Sequence, residues 1–325
     1  MLNKIAIIGL GAMGTSFVRY ALPLCETVLV YDINPTQIET LYSRLLQESN
    51  PYDQYPAYID LNECEKKIET CFSVEEILNN SPNLVVIATH KETHCEIALK
   101  ALAADAHVLV EKPIACNLQE ANKMHAAARA KQRFLFVEFC LHKYPEFEYL
   151  AATIKKAEGI YPVKYKITRI AEVKDPNSLK INATFDLQVH DIDFCLQTFG
   201  TPISIEKDIP HIRHSEMRWT YANGMQAELL GRLPEQHTVP FEYEFTCEFS
   251  NGSSLIYSSS KNKNVRYLEQ IDSKGVTTKI MLNNHSAYQR VLEEVVNVVA
   301  NQHYQDVAAH PLFAGHAVAA LKLIR

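Results

Sequence analysis

The chain has 325 residues, of which 47% are hydrophobic and 22% are charged, a composition typical of a soluble globular protein long enough for two domains. Its formal net charge is −6 and its Lys and Arg residues are spread along the chain, which argues against nucleic acid or an anionic membrane as a partner. No stretch approaches the roughly 20 apolar residues of a membrane helix, and the N-terminus lacks a secretory pattern, so we expect a cytoplasmic protein.

The cysteine and histidine spacings do not indicate a metal centre. The eight cysteines are scattered without a CxxC spacing, which predicts buried thiols and neither a zinc knuckle nor a redox pair. His90 with His94, and His211 with His214, have spacings that would put two ligands on one helix turn. Local spacing suggests no third ligand for either pair, so we expect no metal ion.

The opening of the chain has the pattern of a dinucleotide-binding unit: an apolar run, a glycine turn, a helix, a second apolar run and an acid. Gly9 permits the tight turn, Gly11 lets the backbone approach a pyrophosphate, and Gly14 allows the helix to pack closely on the strand. Asp32 follows at the position from which an acid bonds the ribose hydroxyls. A glycine turn alone is weak evidence, but with both strands and the acid present the pattern predicts dinucleotide binding.

Asp32 also bears on the choice of cofactor. A carboxylate at the end of the second strand accepts hydrogen bonds from a free 2′-hydroxyl and repels a 2′-phosphate, and no Arg follows it in the sequence YDIN. The sequence therefore predicts NAD in preference to NADP. Folding could still bring a basic side chain such as Arg44 or Lys91 near the phosphate, so NADP stays open as the alternative.

Strands and helices continue to alternate as far as residue 138. Residues 47–67, rich in Tyr and Pro at their start, are expected to form an insertion of uncertain structure. Repeated βαβ crossovers predict a parallel sheet covered by helices on both faces, so the fold class is α/β, with a doubly wound Rossmann domain over residues 1–140. The predicted strands are 5–8, 28–31, 68–72, 84–88, 107–110 and 134–138, and the predicted helices include 35–46, 74–80, 92–103 and 118–131.

The pattern changes in residues 141–325, where most segments alternate apolar and polar residues. Asn223-Gly224 and Asn251-Gly252 each lie between two such runs and predict β-hairpins. We expect an α+β domain with a large, open-faced, mostly antiparallel sheet that binds the substrate. Its second face is expected to expose an apolar patch, and we therefore expect a homodimer or homotetramer. The predicted helices are 145–156, 184–199, 286–302 and 311–324, and the predicted strands lie within 163–170, 217–230, 241–258, 265–271 and 276–282.

Two segments carry candidate catalytic residues. Lys112, between Glu111 and Pro113, stands at the carboxyl end of a predicted parallel strand, where open α/β sheets bind ligands; a charged loop at a strand end is the alternative.

The second segment is the predicted helix 184–199. It puts Asp186, His190, Asp193 and Gln197 on one polar face that carries no Lys, Arg or Glu. An Asp one turn before a His can orient and polarise the imidazole for proton transfer, while a buried structural pair is the alternative.

Three segments together resemble the family of glucose–fructose oxidoreductase, inositol dehydrogenase and rhizopine-catabolism proteins (Gfo/Idh/MocA). They are GLGAMG at 9–14, the run ATHKETHCEIALKALAADAHVLVEKPIA at 88–115, and DLQVHDID at 186–193. The resemblance implies that Lys112, Asp186 and His190 form the catalytic group beside a nicotinamide. It also implies a Rossmann domain, an open-faced sheet, frequent dimers or tetramers, and NAD(P)-linked oxidation or reduction of sugars, polyols or nucleotide-linked sugars.

The chain departs from this family pattern at three places. His90-Lys91 stands where many relatives have Pro-Asn, Gln188 stands where Gly is common, and Asn182-Ala183 replaces a frequent Gly-Gly. The form DLxxHDID is similar to members that act on nucleotide-linked sugars.

We interpret the chain as an NAD(P)-dependent dehydrogenase or reductase that moves a hydride between nicotinamide and a secondary alcohol or ketone of a sugar-like substrate. The alternatives are an imine or tetrapyrrole reductase on the same fold and a non-catalytic dinucleotide-binding regulator. Substrate contacts are expected from Lys112, His190 and Asp193, of which Asp193 either touches the substrate or orients the site. The residues expected to bind the cofactor are Gly9, Gly11, Ala12, Met13, Gly14, Asp32, Thr89, Glu111 and Lys112.

Overall fold

The chain forms two compact units in a computed structural model. The structure describes residues 1–46, 60–171, 182–234, 241–262, 265–301, 310 and 313–324. Most of the expected insertion lies outside the described residues, and its last part forms a helix, Leu61–Lys67. Among the described residues, none of the helices has the length and apolar character needed to span a bilayer.

The first unit is built on a sheet of six parallel strands, as predicted. The inner strands are rich in apolar residues, and Leu84–Ile87 is buried at every position, as expected for a sheet covered on both faces. The strands are β1 (Leu2–Ile8), β2 (Cys25–Tyr31), β3 (Ile68–Thr70), β4 (Leu84–Ile87), β5 (His107–Val110) and β6 (Leu135–Val137). Their spatial order, β3-β2-β1-β4-β5-β6, is that of a Rossmann domain.

Helices connect these strands and begin where the sequence supplies caps. The side chains of Asn34, Ser73 and Asn117 each accept a backbone N–H of the first helical turn. The predicted single helix over 35–46 is two helices, because Thr40 leaves the helical conformation between them. The helices are α1 (Ala12–Ala21), α2 (Pro35–Glu39), α3 (Leu41–Leu46), α4 (Leu61–Lys67), α5 (Val74–Asn79), α6 (Lys91–Ala103) and α7 (Leu118–Lys131).

The C-terminal segment packs with the first unit, although the sequence analysis grouped it with the second domain. The first unit comprises Met1–Cys140 and His285–Leu323, and the second comprises Leu141–Asn284. The segment holds two helices, Ala287–Asn301 and Ala314–Ile324. The first of them packs its apolar face on α1, and Phe313 forms a β-bridge with Phe136 of β6. Burial of these apolar side chains accounts for the grouping.

The second unit contains a mostly antiparallel sheet of eight strands. Both predicted Asn-Gly hairpins are present, and Gly224 and Gly252 take the positive φ angles that such turns require. The strands are β7 (Pro162–Ile170), β8 (Ser204–His211), β9 (His214–Thr220), β10 (Gln226–Arg232), β11 (Glu242–Phe249), β12 (Ser254–Ser258), β13 (Tyr267–Ile271) and β14 (Thr277–Met281). The order is β14-β13-β12-β11-β7-β10-β9-β8, with β7 and β10 paired in parallel.

The more exposed face of this sheet is polar, so the expectation of an apolar patch was wrong. Along β7 the buried residues Tyr165, Ile167 and Arg169 alternate with Lys164, Lys166 and Thr168. On β11 the alternate positions Glu244 and Glu248 are exposed, and Lys164 lies 3.4 Å from Glu228 of β10. Charged side chains keep this face compatible with water. The expected homodimer or homotetramer stays a prediction, but an exposed apolar patch no longer supports it.

One helix of the second unit, α8 (Pro145–Lys156), has the predicted bounds, whereas the predicted helix 184–199 begins differently. Residues Ala183–Gln188 form a π-helical turn, followed by α9 (Val189–Phe199), which ends at Gly200. Gln188 is fully buried against β10. A Cβ added to Gly231 of β10 would lie only 2.7 Å from the Gln188 side chain, so glycine on the strand makes room for the larger helical residue.

A buried ion pair connects α9 to the sheet. Arg169 of β7 donates two nitrogens to the carboxylate of Asp191, with the shortest N–O distance 2.7 Å, and both side chains are almost completely buried. The guanidinium carbon also lies 5.1 Å from the ring centre of Tyr243. Burial raises the pKa of the Asp191 carboxyl while Arg169 opposes that rise. Removing one partner would leave an uncompensated buried charge.

We expect Arg169→Met to destabilise the protein by about 3–5 kcal/mol, because Asp191 would remain buried without its partner. The matched control is Lys164→Met on the same strand, whose half-exposed pair with Glu228 should contribute about 0–1 kcal/mol. Chemical denaturation followed by circular dichroism measures both changes. Equal effects of the two substitutions would show that the buried pair does not stabilise the fold.

Candidate functional site

The glycine turn between β1 and α1 leaves no room for side chains at two positions. Gly9 has φ +89°, and a Cβ there would lie 2.7 Å from the Ala88 carbonyl oxygen. A Cβ on Gly14 would lie 1.8 Å from the Gly9 carbonyl oxygen. These close approaches bring α1 against the ends of β1 and β4. The two glycines therefore have the structural roles that the sequence predicts.

The third glycine of the turn has different surroundings. A Cβ added to Gly11 has no described atom within 4 Å, so the backbone can be approached from that side. Gly11 is the N-cap of α1 and offers no side chain to the N–H groups of the first turn, which begins at Ala12 and Met13. The first-turn N–H groups and the positive end of the helix dipole are suited to a pyrophosphate.

Asp32 lies at the rim of the same turn. Its Oδ2 accepts the backbone N–H of Leu10 at 2.6 Å, and its Oδ1 accepts that of Asn34 at 2.8 Å. An ionised carboxylate has about four acceptor positions, so these two bonds orient it and leave capacity for ribose hydroxyls. The glycines, the start of α1 and Asp32 together fit an adenine dinucleotide.

Arg44, a possible phosphate partner, also lies beside the turn. Its guanidinium donates to the backbone oxygens of Leu10 and Gln37 and to the hydroxyl of Thr15. Burial lowers the pKa of Arg44, and the charge of Asp32 opposes that effect. Arg44 therefore stabilises the turn through these hydrogen bonds. It also lies close enough to Asp32 for the two charges to interact.

The loop after β4 is fixed by hydrogen bonds from α6. The Thr93 hydroxyl donates to the Thr89 hydroxyl at 2.7 Å, and Nε2 of His94 lies 3.1 Å from the Thr89 carbonyl oxygen. His90 forms the N-cap of α6, and Lys91 begins the helix. Thr89 thus stands at the carboxyl edge of the sheet that also carries the glycine turn.

Two buried glutamates flank Lys112 at the same edge. Glu111 follows β5 and Glu138 follows β6, and the register of the two strands places them side by side. Burial raises the pKa of Glu111 to about 7, which Lys112 opposes. Burial raises the pKa of Glu138 still further above its usual value, and the negative charge of Glu111 adds to the rise. Two such carboxyls do not both ionise readily, so the pair retains a proton near neutral pH.

In the second unit, the predicted catalytic residues lie at the start of α9. Asp186, in the π-helical turn, accepts the backbone N–H of Asn182 through Oδ2 at 2.7 Å. Asn182 in turn accepts the N–H groups of Thr184 and Phe185, so the helix start is reciprocally capped. His190 follows one turn later and is 7% exposed.

Asp193 is fully buried and its carboxylate is held by two side chains. Nε2 of His142 lies 2.6 Å from its Oδ2, and the Gln197 amide donates to both oxygens at 3.0 Å. The His142 side chain is 12% exposed, whereas that of Asp193 is 0% exposed. Of the two roles expected for Asp193, this arrangement favours orienting a neighbour over touching a substrate.

The two histidine pairs do not form the helical ligand pairs considered above. Both ring nitrogens of His94 face backbone carbonyl oxygens, and His90 is half a turn outside the helix as its N-cap. His211 and His214 lie opposite each other on β8 and β9. Seven cysteines are free thiols, five of them buried and two half-buried: Cys25, Cys71, Cys95, Cys116, Cys140, Cys195 and Cys247.

The sequence analysis missed Glu138 and His142. Glu138 could have been found, because an acid directly after a predicted parallel strand lies at the ligand-binding edge of the sheet. His142 lies 51 residues from Asp193, and no local spacing reveals a contact of that separation.

Comparison with known proteins also indicates a dinucleotide-binding protein. A family model described as "Oxidoreductase family, NAD-binding Rossmann fold" (GFO_IDH_MocA) matches residues 3–139. The uncharacterized oxidoreductase YhhX of Escherichia coli is 25% identical over 313 residues, covering 86% of this chain and 84% of that protein. The UDP-N-acetylglucosamine 3-dehydrogenase of Acidithiobacillus ferrooxidans is 30% identical over 122 residues, covering 37% of each chain.

Solved structures show the same fold over the whole chain. The UDP-N-acetylglucosamine 3-dehydrogenase superposes with a TM-score of 0.77 at 18% identity, covering 100% of this chain and 96% of that one. KijD10, a 3-ketoreductase from Actinomadura kijaniata in complex with NADP, superposes with a TM-score of 0.75 at 14% identity and the same coverage.

The surroundings of the glycines predict different effects of adding a methyl group. Gly14→Ala should destabilise the first unit, because its Cβ would overlap the Gly9 carbonyl. Gly11→Ala should fold with a melting temperature close to that of the wild type, yet bind NAD at least about tenfold more weakly, a loss of about 1.4 kcal/mol. Thermal melting and isothermal titration calorimetry separate the two effects. Unchanged NAD affinity in Gly11→Ala would mean that the pyrophosphate does not approach this turn.

Proposed function

We propose that the chain is a member of the Gfo/Idh/MocA family of oxidoreductases and acts as an NAD-dependent dehydrogenase on a secondary alcohol or ketone of a sugar-like substrate. The observation that carries this proposal is the carboxyl edge of the parallel sheet. It combines an open glycine turn at Gly11, the carboxylate of Asp32 and, two strands from the turn, Lys112. A bound nicotinamide would supply the carbon that accepts or donates the hydride.

In the oxidative direction, three residues of this chain accept the proton of the substrate hydroxyl and stabilise the charge that develops on its oxygen. His190 takes the hydroxyl proton as a general base, and Asp186 orients His190 and stabilises its charged form. Lys112 donates to the same substrate oxygen and stabilises negative charge on it. In the reductive direction the same groups return the proton to the alkoxide.

The buried groups around these residues position them. Asp193, held by His142 and Gln197, is three residues after His190 and therefore shares its helix face. A proton retained by Glu111 and Glu138 limits the negative charge next to Lys112.

The activities of similar proteins support a sugar substrate. One relative is a UDP-N-acetylglucosamine 3-dehydrogenase, and one structural neighbour is a 3-ketoreductase. A nucleotide-linked sugar is therefore the first substrate class to screen, followed by free sugars and inositols. The competing function is a dinucleotide-binding regulator, which would bind NAD and turn over none of these compounds.

The cofactor is proposed to be NAD because of Asp32. Its carboxylate stands where a 2′-phosphate would meet a negative charge, and its two backbone hydrogen bonds hold it there. Arg44 donates four hydrogen bonds to the turn and to neighbouring helical residues, so its guanidinium is committed to the protein.

We expect the wild type to bind NAD more tightly than NADP, and Asp32→Ala to narrow or reverse that difference. The reason is that the substitution removes both the acceptor for the 2′-hydroxyl and the charge that repels a 2′-phosphate. Fluorescence titration with NADH and NADPH measures the ratio of affinities. Asp60→Ala, which alters an exposed Asp in the same unit, is the control. Preference of the wild type for NADP would contradict the assignment.

We expect His190→Ala and Lys112→Ala to leave NAD affinity within a few-fold of wild type while turnover falls by roughly a hundredfold or more. Initial rates with an identified substrate, read as NAD reduction, provide the test. Lys131→Ala, which breaks an exposed pair with Asp105, should keep wild-type turnover. Wild-type turnover by His190→Ala would show that its face of α9 is structural.

A further inference from the structure

His94 joins two loops at the carboxyl edge of the parallel sheet. It lies on α6 and is 1% exposed. Its Nδ1 is 3.0 Å from the carbonyl oxygen of Pro113, and its Nε2 is 3.1 Å from the carbonyl oxygen of Thr89. Thr89 follows β4, and Pro113 follows β5 and directly succeeds Lys112. The ring therefore contacts both loops that flank the proposed nicotinamide site.

Both partners of the ring can only accept hydrogen bonds. A neutral imidazole has one N–H, so it can donate to one of the two carbonyls. The lone pair of its other nitrogen would then face the second carbonyl oxygen across about 3 Å, which is repulsive. Only the imidazolium donates to both oxygens, and the observed geometry is the one that the charged ring prefers.

Burial acts in the opposite direction. Burial lowers the pKa of His94 overall, and the hydrogen bonds to the Thr89, Pro113 and Ile114 backbone and the charge of Glu92 only partly oppose it. Other titratable groups near the ring along the chain are Lys91, Glu92 and Cys95 on α6, Glu111 and Lys112 after β5, and Glu120 of α7, whose backbone oxygen contacts the Cys95 thiol. A neutral ring that joins one loop therefore competes with a charged ring that joins both.

We propose that His94 is a proton-dependent latch and a positioning residue: its imidazolium holds the Thr89 and Pro113 loops together, and loss of the proton releases one of them. This inference rests on the proposed function for its consequence, since these loops carry Thr89 and Lys112. NAD binding orders both loops and therefore favours the protonated ring. Cofactor binding is accordingly coupled to uptake of one proton when the free protein holds His94 neutral.

The coupling predicts the direction of a pH effect. Above the pH at which His94 loses its proton in the free protein, NAD affinity should fall by up to about tenfold per pH unit, because one proton must be bound together with the cofactor. Below that pH the ring is already charged and affinity should level off. A purely structural histidine would change affinity without changing its pH dependence.

Calorimetric titration of the full chain with NAD, in buffers of different ionisation enthalpy, measures the number of protons taken up. We expect uptake of up to one proton by the wild type just above the pH at which His94 of the free protein loses its proton, and none by His94→Asn or His94→Gln, since each offers one amide donor without a titratable proton. His125→Asn changes another histidine of the same unit, packed edge-on against Phe313, and should retain wild-type uptake. Equal uptake in the wild type and both His94 variants would overturn the latch.

Histidine ¹⁵N NMR of the free chain tests the latch independently of cofactor and substrate. Because burial lowers the pKa of His94, the ring should change from doubly protonated to a single tautomer at a pH below that at which an exposed histidine loses its proton. A single neutral tautomer at every pH at which the protein stays folded would refute the proposal even if NAD binds. Failure to bind NAD at all, with the expected NMR transition intact, would instead contradict the proposed function and leave the latch supported.

Discussion

The rest of the first unit depends on the close approach of α1 to the ends of β1 and β4. Gly14 lies so near the Gly9 carbonyl that a single methyl group would separate helix from strand. This contact fixes the N-terminus of α1 over the carboxyl edge of the sheet, and it sets where Asp32 and the β4 loop lie relative to that N-terminus. Gly11 leaves the approach open, so the same turn is closed towards the protein core and open towards a ligand.

The sheet of the second unit differs from that of the first, since one of its faces remains polar and solvated. The helical face supplies the packing, and two buried ion pairs connect helices to the sheet: Arg169 of β7 pairs with Asp191, and Arg266, just before β13, pairs with Glu146. Such pairs fix the direction of the contact because a bidentate guanidinium accepts few geometries. The orientation of α9, and with it that of His190, is therefore constrained by the charged contact of the next residue, Asp191.

The sequence predicts what local chemistry determines and misses what distant contacts determine. The glycine turn, the six parallel strands and the Asn-Gly hairpins were found because backbone geometry requires those residues there. β8 was missed because nearly all of its residues are exposed, so an edge strand bearing Lys207, Asp208 and Pro210 has no alternation to detect. The pairing of His142 with Asp193 and the juxtaposition of Glu111 with Glu138 depend on the order of elements in space. The packing of Gln188 at the start of α9 depends on the space beside Gly231 of β10.

The exchange of volume between Gln188 and Gly231 has an evolutionary consequence. If position 231 of the strand carried a side chain, position 188 of the helix would need a small residue; with Gln188 on the helix, position 231 must be glycine. The effects of substitutions at the two positions therefore depend on each other. A change from Gln188 with Gly231 to glycine at 188 with a side chain at 231 must pass through glycine at both positions, because side chains at both would overlap. That order of substitutions, cavity first and filling second, makes a chain of this kind slow to revert. It also means that a helix transplanted from a relative with Gly at this position would leave a void under α9 unless the strand were changed with it.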